Sequence, residues 1–159
     1  DKMARATCQR LIALSEESDA PITVTISSPG GHVESGDAIH DMIRFVRAPV
    51  TTIGSGWVAS AGTHIFLAAP KNRRVCLPNT RFMIHQPSGG AGGRASDIAI
   101  QAQEIIKMRE RIARVIAKET GQKLERVLVD IDRDHWMSAA EAIEYGLVSR
   151  VIERQTELA

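Results

Sequence analysis

The chain has 159 residues, of which 43% are apolar and 25% charged, a composition typical of one soluble globular domain with a buried core. Its 20 Lys and Arg residues nearly balance its 19 Asp and Glu residues, and only 4% of the residues are aromatic, which argues against nucleic-acid binding. No apolar run reaches the roughly 18 residues that a membrane-spanning helix needs, so no membrane segment is predicted.

The first half of the chain alternates predicted helices with predicted strands. Apolar spacing predicts a helix over residues 3–17, and alternation of apolar and polar residues predicts a strand from Ile22 to Ile26. An amphipathic helix is predicted over residues 33–46. A strand from Val50 to Gly54 should then lead through a glycine-rich turn into a short helix from Ser60 to Ala69.

The second half continues the alternation and contains the longest predicted helix. Its predicted elements are two strands, a long helix, a short helix and a last strand: Arg73 to Cys76, Arg81 to Gln86, 96–120, 139–145, and Leu147 to Ile152. In the long helix we expect Ser96 to be the N-cap, with Asp97 in the first turn. The alternation predicts an α/β fold in a single domain spanning residues 1–159.

The cysteines and histidines give no sign of a metal site or a disulfide. Cys8 and Cys76 lie far apart in sequence, so we predict two reduced core residues and a cytoplasmic location. The H-E-x-x-H pattern is missing, and no pair of histidines has zinc-ligand spacing. We therefore expect no metal and no cofactor.

Among the serines, Ser60 has the sequence context that best fits a nucleophile. It follows a strand and a glycine-rich turn, and it opens an apolar helix whose N-terminal amides would face whatever the hydroxyl attacks. It could equally be a simple helix cap. The Gly30-Gly31 turn also has two interpretations. Its backbone could donate to an oxyanion, or the turn could need glycine only for its dihedral angles.

One histidine and a group of aspartates could complete a catalytic site. His85 ends an apolar strand, where it could be a general base or a structural hydrogen-bonding residue. Asp130, Asp132 and Asp134 form an acidic cluster, and most such clusters are solvated turns. From these residues alone, the sequence predicts an α/β domain with a possible nucleophile and does not assign a reaction.

Five segments in order resemble one protein family. They are S-S-P-G-G at 27–31, G-W-V-A-S-A-G at 56–62, C-L-P-N-T-R-F-M-I-H-Q-P at 76–87, D-R-D-H-W-M-S-A at 132–139 and Y-G-L-V at 145–148. Together they resemble ClpP, the proteolytic subunit family of the ATP-dependent Clp protease. The M-I-H-Q-P block is highly specific, and the resemblance covers nearly the whole chain. It implies a ClpP/crotonase-type fold of repeated β-β-α units with a protruding handle helix at 96–120.

The resemblance also implies a serine endopeptidase that cleaves peptides and unfolded polypeptides. In the family pattern Ser60 attacks the peptide carbonyl, His85 is the general base, and Asp134 orients the imidazole. The backbone N–H groups of Gly31 and Ala61 match the family's oxyanion hole.

Other positions match the family's substrate-binding and assembly features. Gly89 and Gly90 match a strand edge to which an extended substrate adds itself. The handle helix joins two seven-membered rings into a tetradecamer, and Arg133 matches a residue that links ring contacts to the triad. An AAA+ unfoldase is the implied partner for degrading folded proteins.

Three departures set this chain apart from the family pattern. We expect no counterpart of the N-terminal segment that lines the axial pores. The strand from Ile22 to Ile26 lacks the aromatic residues on which chaperone loops dock, so we expect weaker docking. Trp57-Val58 replaces smaller or polar residues just before Ser60, which would fit a divergent paralogue.

Three alternatives remain. A crotonase-type acyl-CoA enzyme would use similar glycine amides without a Ser-His pair. A Ser-Lys peptidase would need Lys71 or Lys107, neither of which has a supporting motif. A catalytically silent or regulatory ring subunit would act as a scaffold for an active partner.

Overall fold

A computed structural model describes residues 1–90 and 92–158 of the chain, with six α-helices and six β-strands among them. The helices are α1 (Lys2–Glu17), α2 (Val33–Phe45), α3 (Ala61–Phe66), α4 (Ala95–Thr120), α5 (Leu124–Asp130) and α6 (Ala139–Tyr145). The strands are β1 (Ile22–Ser28), β2 (Val50–Ala59), β3 (Arg74–Cys76), β4 (Arg81–Ile84), β5 (His135–Met137) and β6 (Arg150–Val151). The predicted mixed α/β fold is confirmed.

The long strand β2 organises a single six-stranded sheet. On one edge β2 pairs in parallel with β1, from Ile22 opposite Val50 onwards. Its other edge is divided, because β3 pairs with the first half of β2 and β4 with the second half. β6 continues the sheet in parallel beyond β3, whereas β5 pairs antiparallel with β4.

Two clusters of apolar side chains join the helices to the sheet. A core cluster beside α1 and α2 is built on Leu11, Ile39 and Val50. A larger cluster packs α3, α5, α6 and the C-terminal part of α4 around Phe66 and Phe82. Burial of such large side chains stabilises the fold by roughly 1.5–3 kcal/mol each.

Helix α4 is buried only near its C-terminal end. Ala113 and Ile116 are buried, whereas Ile98, Ile100 and Ile106 are between 40% and 60% exposed. This distribution agrees with the handle helix expected from the resemblance. It also explains why the apolar residues of this helix occupy more than one face.

Two predictions about local structure were wrong near glycine or serine residues. Gly54 and Gly56 do not end β2, which continues to Ala59. A Cβ on Gly54 would lie 3.0 Å from the Phe82 ring, so this glycine makes room for a core side chain. Ser96 is not the N-cap of α4, since Arg94 occupies that position and Ser96 lies in the first turn.

Two further short elements were not predicted from the sequence, and the last strand was predicted too long. α5 and β5 were not predicted, because each is short and β5 carries only three residues. The last strand is limited to Arg150–Val151, since Gly146 ends α6 in a left-handed conformation and a loop follows. Both cysteines are free; Cys76 is buried as predicted, but Cys8 is only partly buried. Within the described residues, no helix combines the length and the apolar character needed to cross a membrane.

Candidate active site

Ser60 lies on a strained turn between β2 and α3. Its φ of 55° makes it the one residue other than glycine with a positive φ in the described part of the chain. Such a conformation costs about 1–3 kcal/mol and persists only where its surroundings enforce it. The Ser60 N–H donates to the Met83 carbonyl at 2.9 Å, and Thr63 Oγ1 lies 2.8 Å from the Val58 carbonyl and 2.9 Å from that of Met83. β4 and α3 together hold the turn.

The S-P-G-G loop packs directly against this turn. A Cβ on Gly30 would lie 2.6 Å from Ser60 Cβ and 3.1 Å from Ser60 Oγ, and Gly30 has a φ of 105°. On the other side of the serine, a Cβ on Gly62 would lie 3.1 Å from Ser28 Cβ. The two glycines let the loop after β1 approach the backbone around Ser60.

The pairing of β4 with β5 brings His85 and Asp134 together. Ile84 pairs with His135 in the antiparallel ladder, so the residue after the first strand faces the residue before the second. His85 Nδ1 lies 2.9 Å from Asp134 Oδ1, and His85 Nε2 lies 2.8 Å from Ser60 Oγ. The three side chains thus form a continuous hydrogen-bonded series.

The hydrogen bonds of Ser60 differ from those of a simple helix cap. Its hydroxyl contacts His85 and makes no side-chain capping bond to α3. The His85 side chain is 24% exposed and that of Asp134 is 62% exposed, so solvent reaches the series from the Asp134 end. Asp130, in contrast, is largely buried and accepts a hydrogen bond from the Tyr145 hydroxyl at 2.8 Å.

Two backbone N–H groups beside Ser60 are free to bind an anion. Within residues 1–90 and 92–158, neither Gly31 N–H nor Ala61 N–H donates to another group of the chain. Gly31 has a φ of 151°, and no atom lies within 4 Å of the place where its Cβ would be. The space beside the Gly31 Cα is therefore open.

A small cavity adjoins the Ser-His pair, and a wider groove shares Val33 and Pro87 with that cavity. The cavity, of about 30 Å³, is lined by Val33, Ser60, Ala61, Thr63, His64, Ile84, His85, Pro87, Ile112 and Ile116. The groove runs between the start of α2 and α4 and includes Gly31, Gly89 and Gly90. A Cβ on Gly89 would lie 3.3 Å from Ile105 Cδ1, so glycine there also allows α4 to pack closely.

The last of the predicted site residues, Arg133, lies next to this site in the chain. Arg133 is exposed on the loop before β5, next to Asp134 in the chain.

Across the residues that the structure describes, no group of three or more His, Cys, Asp or Glu side chains has an arrangement suited to a metal ion.

A charged cluster next to the cavity, centred on the largely buried Asp37, was not predicted from the sequence. Asp37 Oδ1 lies 2.9 Å from His64 Nε2 and 2.7 Å from Arg111 Nη1, and the His64 ring stacks on that of His40 with centroids 4.4 Å apart. Burial, with the nearby His40, lowers the pKa of His64 to about 4 despite the Asp37 carboxylate. One signal was available, because His64 is a lone ionisable residue in the apolar segment from Ala61 to Ala69.

Known proteins are similar to this chain in both sequence and fold. The family model described as Clp protease matches residues 1–155. A relative named ATP-dependent Clp protease proteolytic subunit 3, from Rhizobium etli, is 57% identical over 99% of this chain and 81% of its own length. ATP-dependent Clp protease proteolytic subunit 2 from Gluconobacter oxydans is 63% identical over 99% of this chain and 72% of its own length. The solved structure of ClpP1 from Listeria monocytogenes has a TM-score of 0.91 and 49% identity, covering 100% of this chain and 89% of that one.

Proposed function

The chain belongs to the Clp protease family, and we propose that it hydrolyses peptide bonds as a serine endopeptidase through an acyl-enzyme on Ser60. Family membership supports the peptidase activity. The observation that carries the serine mechanism is the Ser60–His85–Asp134 series, with both hydrogen bonds below 3 Å.

In the proposed reaction Ser60 Oγ attacks the substrate carbonyl carbon while its proton passes to His85 Nε2. The tetrahedral intermediate collapses, the C–N bond breaks, and His85 returns the proton to the leaving amine. A water molecule then attacks the acyl-enzyme with His85 again as base, which releases the acid and restores Ser60. Asp134 accepts the Nδ1–H hydrogen bond, so it fixes the tautomer and stabilises the imidazolium.

The oxyanion of both tetrahedral intermediates would be bound by the N–H groups of Gly31 and Ala61. Loss of one such donor typically costs a factor of about 10²–10³ in turnover. The strained backbone of Ser60 supports this arrangement, because it directs the hydroxyl and the following N–H towards the same space.

The substrate is proposed to bind as an extended strand along Gly89 and Gly90. Both residues are exposed and border the groove that shares Val33 and Pro87 with the cavity beside the Ser-His pair. Recognition through main-chain hydrogen bonds is tolerant of sequence, which suits a protease that degrades many unfolded chains.

We further propose that the subunits assemble into seven-membered rings stacked as a tetradecamer. The exposed isoleucines of α4 supply an apolar surface suited to contact between rings, and Arg133 lies where a ring contact could reach the triad. An AAA+ unfoldase would deliver folded substrates. The exposed face of β1 carries Thr23 and Thr25 instead of aromatic residues, which supports weak docking of such a partner.

The proposed location is the cytoplasm, in accord with two free cysteines, Cys8 and Cys76. Peptide hydrolysis by the proposed route uses only the side chains and backbone groups described above, so no cofactor is proposed.

The test is cleavage of a short fluorogenic peptide by size-resolved fractions of the protein, with labelling by a serine-directed fluorophosphonate. We expect activity in a ring or double-ring fraction, and an adduct that mass spectrometry maps to Ser60. Ser60→Ala should abolish both, whereas Ser18→Ala, at the exposed end of α1, should change neither. An assembled wild type that neither cleaves nor labels would refute the peptidase mechanism and favour a silent ring subunit.

A further inference from the structure

Asp37 holds together three helices that surround the candidate active site. It lies on α2, and its carboxylate contacts His64 of α3 at 2.9 Å and Arg111 of α4 at 2.7 Å. The Asp37 side chain is 19% exposed and that of His64 is 8% exposed. Burial acts to raise the pKa of Asp37, but the hydrogen bonds and charges of Arg111 and His64 outweigh it, and the pKa lies below its ordinary value. The carboxylate is therefore ionised at neutral pH.

Asp37 and His64 each lie on a helix that begins beside a group of the proposed mechanism. α2 begins at Val33, two residues after Gly31, and Asp37 follows in its second turn. α3 begins at Ala61, and the backbone N–H of His64 donates to the Ser60 carbonyl at 3.2 Å. Movement of α2 relative to α3 would therefore change the spacing between Ser60 and the Gly31 N–H.

The third helix connects the same cluster to the wall of the cavity. Arg111 directly precedes Ile112, which lines the cavity beside Ser60 together with Ile116. The first turns of α2 and α3 are also in close contact, since a Cβ on Gly36 would lie 3.3 Å from the Ala61 Cβ. The position of one helix thus constrains that of the other.

Taking the proposed peptidase mechanism as its basis, we propose that Asp37 is a positioning residue for catalysis. Its carboxylate fixes α2 and α3 against α4, so that Gly31 N–H, Ala61 N–H and Ser60 Oγ keep the spacing that the tetrahedral intermediate requires. Asp37 acts through these groups and does not touch the substrate.

The energetics of burial favour a geometric role over a stabilising one. Desolvation of the Asp37 carboxylate is a cost, and because the Arg111 side chain is 48% exposed, solvent screens the ion pair and limits its contribution to stability. The cluster also leaves His64 Nδ1 buried without a hydrogen-bond partner in the described residues, which is a further cost. Directional contacts to two helices, however, restrict their orientation in a way that apolar packing does not.

The test compares Asp37→Asn, Arg111→Met and the double variant with Asp19→Asn, an exposed control in the loop after α1. Fluorophosphonate titration counts the functional sites, so that kcat is obtained per site and a loss of folded protein is removed from the comparison. We expect Asp37→Asn to lower kcat and the phosphonylation rate per site about ten- to hundredfold, with KM within about twofold of wild type. Because the residues act as one unit, the double variant should be no slower than Asp37→Asn.

The outcomes separate this proposal from the proposed function. If kcat per site stays within twofold of wild type while the melting temperature falls, Asp37 is only structural and the proposal is wrong. If Asp37→Asn does not fold, kcat per site of Arg111→Met is judged by the same limits. That variant removes one contact of Asp37 and leaves its carboxylate bonded to His64. If wild type and Asp19→Asn are both inert, the mechanism fails independently. Crystal structures of wild type and Asp37→Asn then decide, and unchanged positions of Ser60 and Gly31 would overturn the positioning role.

Discussion

Replacement of Gly30 by alanine should damage the active site more than it damages the fold. The new Cβ would lie 2.6 Å from Ser60 Cβ, whereas non-bonded carbon atoms are in favourable contact at about 3.5–4.0 Å. Ser60 or the loop must therefore move by roughly 1 Å, and a displacement of that size can cost about 10²-fold in rate. The φ of 105° adds a backbone strain of about 1–3 kcal/mol.

The assay is kcat/KM for a fluorogenic peptide, together with the melting temperature of the assembled protein. Gly121→Ala is the matched control, because Gly121 also has a positive φ of 81° but no atom lies within 4 Å of its would-be Cβ. Gly121→Ala should lower the melting temperature while leaving kcat/KM unchanged, and Gly30→Ala should lower both. Activity of Gly30→Ala within threefold of wild type would show that Ser60 does not need this close contact.

Three further predictions concern the surroundings of the site. The pKa of His64 is 6.5 in the unfolded chain and about 4 in the folded protein. As the pH falls, the unfolded chain therefore binds the proton before the folded one does, and the free energy of unfolding should fall by about 2 kcal/mol between pH 7.5 and pH 5. His64→Gln, which can still donate to Asp37, should remove most of that dependence in urea titrations at the two pH values. Thr63→Val should cost about 1–3 kcal/mol of unfolding free energy because its hydroxyl serves buried carbonyls, whereas Thr63→Ser should cost less. Gly146→Ala should prevent stable folding, since its Cβ would collide with the Thr120 carbonyl; a melting temperature equal to wild type would contradict this.

The sequence predicted most of the fold because its longer elements carry clear periodic patterns. The helix predicted over residues 139–145 coincides with α6, and that predicted over 96–120 differs from α4 by one residue. The errors fall where tertiary contacts override local signals. Gly54 and Gly56 lie inside a strand because neighbouring elements occupy the space of their missing side chains, which a local reading cannot show.

The candidate site was predictable only in part from physical reasoning about residues. Ser60 could be selected by its local context, but His85 and Asp134 became a pair only through the resemblance to ClpP. Their contact depends on the register of β4 with β5, and β5 was itself not predicted. Asp37 and Arg111 were missed for a similar reason, since their contact joins α2 to α4 across 74 residues of sequence and leaves no local pattern.

The antiparallel pairing of β5 with β4 also determines when during folding a reactive site can exist. His85 lies 49 residues from Asp134 in the chain, whereas it lies only 25 residues from Ser60. Contacts over longer sequence separations carry a larger loop-closure entropy and tend to form later. A nascent or partly folded chain would thus hold a serine and an imidazole without the carboxylate that orients them. Under the proposed serine mechanism, catalytic competence would wait until β5 has paired with β4.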